Sequence, residues 1–97
     1  MESQYQTLAT ILLAACPAGI DRAWIEASVN DGHVRAQYWY EKGEERAQPK
    51  VDSMGSFQIA KALSQVHDAW PTDPKWSKAT FTLHPDGRFD LDVADGQ

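Results

Sequence analysis

The sequence predicts a two-layer α+β domain in which two helices cover one face of an antiparallel sheet of four or five strands. Two stretches, residues 2–16 and 53–70, carry apolar side chains at helical spacing. Two others, residues 22–40 and 76–93, alternate apolar and polar side chains around a turn, which is typical of a hairpin with one wet face. The predicted order is α-β-β-(β)-α-β-β in a single domain, residues 1–97.

The first helix is predicted over residues 2–16. Ser3 and Gln6 have the spacing of a capping box at its start, and Pro17 ends it. Its apolar stripe consists of Tyr5, Leu8, Ala9, Ile11, Leu12 and Ala15. Cys16 continues this stripe, so we interpret it as a small buried side chain rather than a reactive thiol.

The first hairpin is predicted around Asn30-Asp31-Gly32, the strongest turn signal in the chain. A type I′ loop at Asp31-Gly32 selects one register for the two strands. On one face it aligns apolar residues, namely Val29 with Val34, Ala27 with Ala36 and Ile25 with Tyr38. On the other face it aligns Ser28 with Arg35, Glu26 with Gln37 and Trp24 with Trp39.

The opposed pair Trp24 and Trp39 has two interpretations, and the sequence leaves both open. Facing aromatic side chains stabilise a hairpin by up to about 1 kcal/mol, so the pair can be structural or covered by another part of the chain. Tryptophan is also enriched where proteins bind one another, so the pair can instead be an exposed anchor for a partner.

Residues 41–52 are predicted to form a polar connection between the first hairpin and the second helix. Three acidic residues, Glu41, Glu44 and Glu45, give it local negative charge. A short third strand around residues 46–51 is the alternative to a loop, and Pro49 would confine that strand to a sheet edge.

The second helix is predicted over residues 53–70. Either Ser53 or Ser56 suits the N-cap position, and Pro71 and Pro74 end the helix. Its apolar stripe consists of Ile59, Ala60, Leu63, Val66 and Trp70. Trp76 then leads into the second hairpin, where we expect it to pack over a helix end.

A three-residue loop, Pro85-Asp86-Gly87, is predicted to join the strands of the second hairpin. Pro85 presets φ for a type I turn, and Gly87 suits the left-handed bulge that follows it. Only this loop length keeps the apolar faces in phase, because it aligns Leu83 with Phe89, Phe81 with Leu91 and Ala79 with Val93. The second face then carries Thr80, Thr82, Asp90 and Asp92.

Charge and composition limit the classes of partner. The net charge is -5 and the isoelectric point about 4.9, which argues against nucleic acid and fits a basic protein partner. The single cysteine excludes an internal disulfide framework.

No apolar run has membrane-spanning length. The segment Leu13-Ala14-Ala15-Cys16 matches a lipoprotein cleavage box, but the start of the chain has no basic residue. We therefore expect an uncleaved protein with no membrane contact.

The signals for enzymatic chemistry are weak. His33, His67 and His84 fall on a strand start, a helix and a turn, with no metal-ligand spacing. Asp90 and Asp92 share a strand face and could hold a cation, but alternating aspartates more often serve solubility. We expect no enzymatic activity, no catalytic residue, no cofactor and no metal.

The strand-turn-strand from Phe81 to Asp92, FTLHPDGRFDLD, with Trp76 a few residues before it, resembles the C-terminal signature of the YezG-like (DUF600) antitoxin family. The order of helices and hairpins is similar over nearly the whole chain. The resemblance implies a non-enzymatic immunity protein that binds and neutralises a cognate secreted bacterial toxin, often a nuclease, in the cytoplasm of the producing cell. It implies turn and core roles for Gly87 and Phe89.

The predicted partner-binding residues combine an aromatic and acidic sheet face with the acidic connection. They are Trp24, Glu26, Trp39, Glu41, Glu44, Glu45, Asp90 and Asp92. The expected partner is a basic toxin protein. The alternative function is a small adaptor or secretion-chaperone-like module that binds a client by strand addition near residues 46–51.

Overall fold

Two helices cover one face of a five-stranded antiparallel sheet in the computed structural model, which describes residues 2–31, 33–71 and 75–94. The helices are α1 (Glu2–Ala15) and α2 (Ser53–Asp68). The strands are β1 (Arg22–Asn30), β2 (His33–Lys42), β3 (Glu45–Ala47), β4 (Lys78–Leu83) and β5 (Phe89–Ala94). Their order across the sheet is β3-β2-β1-β4-β5. The predicted α+β class and element order are confirmed, with the third strand present.

The first hairpin has the predicted register. β1 and β2 pair Val29 with Val34 and Trp24 with Trp39, and every pair between them follows the same alignment. Asp31 has a φ of 52°, as a type I′ loop requires of its first central residue. Gly32 of this loop and Pro74 of the predicted helix end lie outside the described residues.

The second hairpin also has the predicted register and loop. The N–H of His84 donates to the carbonyl of Arg88 at 2.8 Å, and the N–H of Gly87 donates to the carbonyl of His84 at 3.0 Å. Gly87 has a φ of 90°, which a side chain would strain. β4 and β5 therefore align Leu83 with Phe89 and continue in phase through Ala79 and Val93.

The central strand β1 joins the two hairpins. It pairs antiparallel with β4, which places Ile25 opposite Phe81 and Trp24 opposite Thr82. The N–H of Val29 donates to the carbonyl of Ser77 at 2.9 Å and extends this pairing beyond β4. The apolar rows of the two hairpins, which contain Ile25 and Phe81, thus face the same helix layer.

The core lies between the sheet and the two helices. Its largest fully buried side chains are Leu8 and Leu12 of α1, Ile59, Leu63 and Val66 of α2, and Ile25 and Phe81 of the sheet. Trp76 is also buried and packs edge-on against His67, with ring centroids 4.9 Å apart. The predicted packing of Trp76 over a helix end is confirmed.

Both predicted helix caps are wrong. α1 includes Ser3 within its first turns, where its carbonyl accepts a hydrogen bond from the Thr7 hydroxyl at 3.0 Å. α2 is capped by Asp52, whose Oδ1 accepts the N–H of Gly55 at 2.6 Å. The same helix ends at Asp68, so Trp70 lies beyond it rather than on its stripe.

A close approach between the helices explains where α2 begins. A Cβ atom on Gly55 would lie only 3.1 Å from Cγ2 of Ile11 in α1 and 3.0 Å from Cγ1 of Val51. Asp and Ser have similar N-cap preferences, so local sequence does not choose between them. The contact with α1 at Gly55 places the first turn of α2, and Asp52 is the side chain then in reach.

The two edge strands differ from expectation. β3 is a strand of three residues, beginning at Glu45 rather than Arg46, and Pro49 lies beyond its end. On β5, Phe89 is 36% and Val93 39% exposed, although both were predicted to face the core. They do face the helix layer. The ring centroid of Phe89 lies 5.4 Å from that of Phe81, on which it stacks, and 5.5 Å from that of Tyr5 in α1. Their exposure follows from the position of β5 at the edge of the sheet.

The observed cap predicts which residue stabilises the start of α2. We expect Asp52→Ala to lower the free energy of unfolding by about 1 kcal/mol, because it removes the acceptor for the Gly55 N–H. Urea denaturation measures this change. The matched control is Ser53→Ala, for which we expect a change within about 0.5 kcal/mol. A larger loss from the Ser53 variant than from the Asp52 variant would contradict the assignment.

The turn of the second hairpin predicts a dependence on pH. The N–H of Arg88 donates to Oδ1 of Asp86 at 3.0 Å, and this hydrogen bond, assisted by the Arg88 side chain, lowers the pKa of Asp86 below its usual 3.8. A lowered pKa in the folded state means stability that is present above the unfolded pKa and is lost as pH falls through the folded one.

We therefore expect Asp86→Asn to be less stable than the parent chain near neutral pH. The difference should shrink toward zero as pH falls through and below 3.8, the usual value for Asp. Urea titrations of both chains across this pH range check the prediction. A difference that stays constant down to the lowest pH at which both remain folded would refute it.

Candidate partner-binding face

The face of the sheet away from the helices, here called the open face, carries most of the predicted partner-binding residues. Cross-strand pairing arranges its side chains in rows. One row is Trp39, Trp24, Thr82 and Asp90, and the next is Gln37, Glu26, Thr80 and Asp92. On the other side of the tryptophans, a third row is Arg46, Glu41 and Arg22.

Trp24 is covered by its own chain. Only 7% of it is exposed, although it lies on the open face. The guanidinium carbons of Arg22 and Arg46 lie 4.8 and 5.3 Å from its ring centroid, in the geometry of cation–π contacts. Its Nε1 donates to Oε2 of Glu26 at 3.1 Å. Of the two interpretations of the tryptophan pair, the covered one applies to Trp24, and the exposed anchor does not.

Glu41 holds the two arginines in place. Its Oε1 accepts a hydrogen bond from Nε of Arg22 at 2.5 Å, and its Oε2 lies 4.0 Å from a guanidinium nitrogen of Arg46. Arg22, Glu41 and Arg46 therefore form one row beside Trp24, in which the two arginines neutralise the Glu41 carboxylate. The carboxylate of Glu41 is engaged within the chain, so it offers a partner less free charge than the sequence suggests.

Trp39 differs from Trp24 because it lies one strand nearer the edge. Its side chain is partly buried, and its Nε1 is shut off from solvent without a hydrogen-bond acceptor among the described residues. An unsatisfied buried donor costs about 1–3 kcal/mol, so packing of the Trp39 ring has to offset this cost. Its accessible part is ring surface, which can contribute apolar contact to a partner.

The exposed carboxylates of the open face form a group here called the acidic stripe: Glu26, Asp90 and Asp92. All three are exposed and lie in the two adjacent rows described above, separated by the short side chains of Thr80 and Thr82. Asp90 contacts His84, with Nε2 and Oδ2 2.9 Å apart. The stripe is the part of the predicted site that the fold brings together.

Glu44 and Glu45 lie apart from the stripe. Glu44 lies in the turn between β2 and β3, and Glu45 is the first residue of β3. β3 is the edge strand opposite to β5. Four strand spacings separate these edges, or about 19 Å. Because successive side chains of a strand point to opposite faces, Glu45 points to the helix side and Arg46 to the open face. One small contact cannot include both acidic groups.

Sequence reasoning missed Arg22 and Arg46 as members of this face, and it missed the contact between His84 and Asp90. A signal for Arg22 existed, because it lies two residues before Trp24 on the same strand and so shares its face. Arg46 could not be placed without the pairing of β2 with β3, which aligns it with Glu41. His84 reaches Asp90 diagonally across the second hairpin, a contact that the predicted register permits.

The other candidate reactive groups have structural surroundings. Cys16 packs beside the core, and burial raises the pKa of its thiol, which disfavours the reactive thiolate. His33, His67 and His84 lie on separate elements. Within the described residues, no group of three or more His, Cys, Asp or Glu side chains is arranged to hold a metal ion.

A groove of about 340 Å³ lies between α1 and the start of α2. Its ionisable side chains are Lys50 and Asp52, and Asp52 is engaged as the cap of α2. The rest of the lining is apolar or uncharged, including Ile11, Ala14 and Met54. This groove therefore lacks a free pair of ionisable groups for acid–base chemistry.

The burial of Trp24 predicts a structural role. We expect Trp24→Ala to lower the free energy of unfolding by about 3 kcal/mol, because it removes a large side chain packed under two arginines. Urea denaturation measures the change, and Trp24→Phe, which keeps an aromatic ring, is the milder control. A loss below about 1 kcal/mol for Trp24→Ala would show that the ring is not a stability element.

Comparison with known proteins does not assign the chain to a family. No protein-family model matches the chain, and no curated protein matches it. Within the described part of the chain, no helix is long and apolar enough to cross a bilayer. The resemblance to the YezG-like antitoxin family stays a prediction from the turn motif and the order of elements.

Proposed function

We propose that this protein is an immunity protein, which binds a basic protein toxin stoichiometrically and neutralises it in the cytoplasm of the producing cell. The observation that carries the proposal is the acidic stripe, three exposed carboxylates in two adjacent rows of an open sheet face. Sheet pairing holds their backbone in place, so a partner would meet a pre-arranged set of charges.

The overall charge supports a basic partner. The chain carries 14 acidic and 9 basic side chains, for a net charge of -5. A toxin that cleaves nucleic acid has to bind phosphates and therefore presents lysine and arginine. Attraction between the two charge patterns raises the association rate and disfavours acidic partners.

A second candidate function is a small adaptor or secretion-chaperone-like module. The observation that favours it is the open edges of the sheet, where a client segment could add as a strand. The segment near residues 46–51 offers little of this, because β3 has only three residues. An adaptor would bind several clients, whereas an immunity protein would bind one toxin.

The test begins with capture of partners by the tagged protein from the producing cell. The captured partner is then expressed alone in a second host, with and without this protein. We expect its basic domain to stop growth and co-expression to restore it, at a one-to-one ratio in the purified complex. A partner that leaves growth unaffected, or several partners without toxicity, would overturn the immunity proposal and favour the adaptor.

Two variants with equal changes of charge locate the contact. One removes two of the three charges of the stripe through Asp90→Asn and Asp92→Asn, and the other removes the two charges of the turn through Glu44→Gln and Glu45→Gln. We expect the stripe variant to slow association with the captured toxin about tenfold at low salt, and the turn variant to slow it less than about twofold. Equal effects of the two variants would contradict the assignment to the stripe.

A further inference from the structure

The outer edge of β5 presents main-chain groups that pair with no other strand in the described part of the chain. β5 is the last strand of the sheet and pairs only with β4. Hydrogen-bonded and non-hydrogen-bonded pairs alternate along an antiparallel ladder. The bond from the His84 N–H to the Arg88 carbonyl sets the alternation. Asp90 and Asp92 therefore bond to β4, while Phe89, Leu91 and Val93 direct their N–H and C=O groups outward.

The side chains of β5 divide in the same alternation. Phe89, Leu91 and Val93 face the helix layer and are only partly covered, with Phe89 36% and Val93 39% exposed. Asp90 and Asp92 face the open side. An added strand would thus find an apolar row on one face and two carboxylates on the other. The carboxylates would occupy non-hydrogen-bonded positions, where opposing side chains approach most closely.

The carboxylates disfavour a second copy of this chain as the occupant. Antiparallel self-pairing centred on Leu91 would place Asp90 opposite Asp92 twice. A shift of two residues in either direction would place Asp90 or Asp92 opposite itself. Like charges directly opposite one another destabilise a strand pair, so self-association at this edge is opposed.

Within the described structure, the outer edge of β2 is also partly unpaired, but it lacks the carboxylates that would attract a basic strand. β3 pairs only with Tyr40, Glu41 and Lys42, and no other strand among the described residues pairs with the outer edge of β2 from residue 33 to residue 39. The open-face side chains along that segment are His33, Arg35, Gln37 and Trp39. Arg35 repels a basic strand, and no carboxylate lies along the segment to attract one.

We propose that β5 is a strand-addition site for an extended segment of a partner protein that carries lysine or arginine at alternate positions. Main-chain hydrogen bonds to Phe89, Leu91 and Val93 hold the segment. Its basic side chains lie opposite Asp90 and Asp92, and its apolar side chains extend the row formed by Phe89 and Val93. The site deepens the proposed function and rests on it for the identity of the partner as a basic toxin, but the edge itself can be tested separately.

The probe is the synthetic peptide acetyl-Val-Lys-Val-Lys-Val-amide, which matches β5 residue for residue when it pairs antiparallel. A peptide of the same composition, acetyl-Lys-Lys-Val-Val-Val-amide, has the same charge without the alternation. Amide hydrogen exchange of the whole protein reports where each peptide binds. In the free protein, we expect Asp90 and Asp92 to be protected and Phe89, Leu91 and Val93 to exchange fast.

The alternating peptide should protect the amides of Phe89, Leu91 and Val93 and bind more tightly than the permuted one. Asp92→Asn should weaken its binding about threefold. Val93→Pro removes an outward N–H without breaking the ladder to β4, and should weaken binding about fivefold, whereas Val93→Thr keeps the N–H and should change it little.

Three results would overturn the assignment. They are protection at Val34, Ala36 and Tyr38 instead of β5, equal binding of the two peptides, or equal binding by the Val93→Pro and Val93→Thr variants. If the peptide fails while a toxin is captured and neutralised, the edge assignment is wrong and the immunity proposal stands. If the peptide binds at β5 and no toxin is found, the edge stands and the immunity proposal fails.

Discussion

The pairing of β1 with β4 is the contact on which the rest of the structure depends. Each hairpin is local, but this pairing joins residues far apart in the chain and makes one sheet of both. It has to bring Ile25 opposite Phe81, because a slip of one residue would turn the apolar row of one hairpin toward solvent. The helix α2 carries the chain between the hairpins and packs on the face that this register makes apolar.

The same pairing creates the open face. Because the two hairpins are in phase, Trp39, Trp24, Thr82 and Asp90 fall in one continuous row across four strands. Trp24 is central in this row and is flanked by strands on both sides. Together with the two arginines, these neighbours leave it 7% exposed. The exposed acidic side chains of this face extend from Glu26 on the central strand to Asp90 and Asp92 on β5, so the charged surface reaches an open sheet edge there.

Most of the secondary structure follows from short-range patterns. The turn residues Asp31 and Gly87 both have the positive φ that their loops require, and the loop lengths then determine the registers. The errors arise where local preferences are nearly equal. Asp52, Ser53 and Ser56 are all good N-cap residues, and only the approach of Gly55 to α1 distinguishes them. Phe89 and Val93 have core-like alternation but lie on an edge strand, and alternation carries no information about strand order.

The sequence by itself determined which face each residue of the two hairpins occupies, because side-chain alternation and turn length depend only on neighbouring residues. It therefore determined the α+β class and the membership of Trp24, Glu26, Trp39, Asp90 and Asp92 in one face. The tertiary structure alone decided that Trp24 is covered, that Glu41 is neutralised, and that the acidic residues divide between opposite edges. These depend on strand order and on contacts with Arg46 from a third strand, which are non-local and leave no periodic trace in the chain.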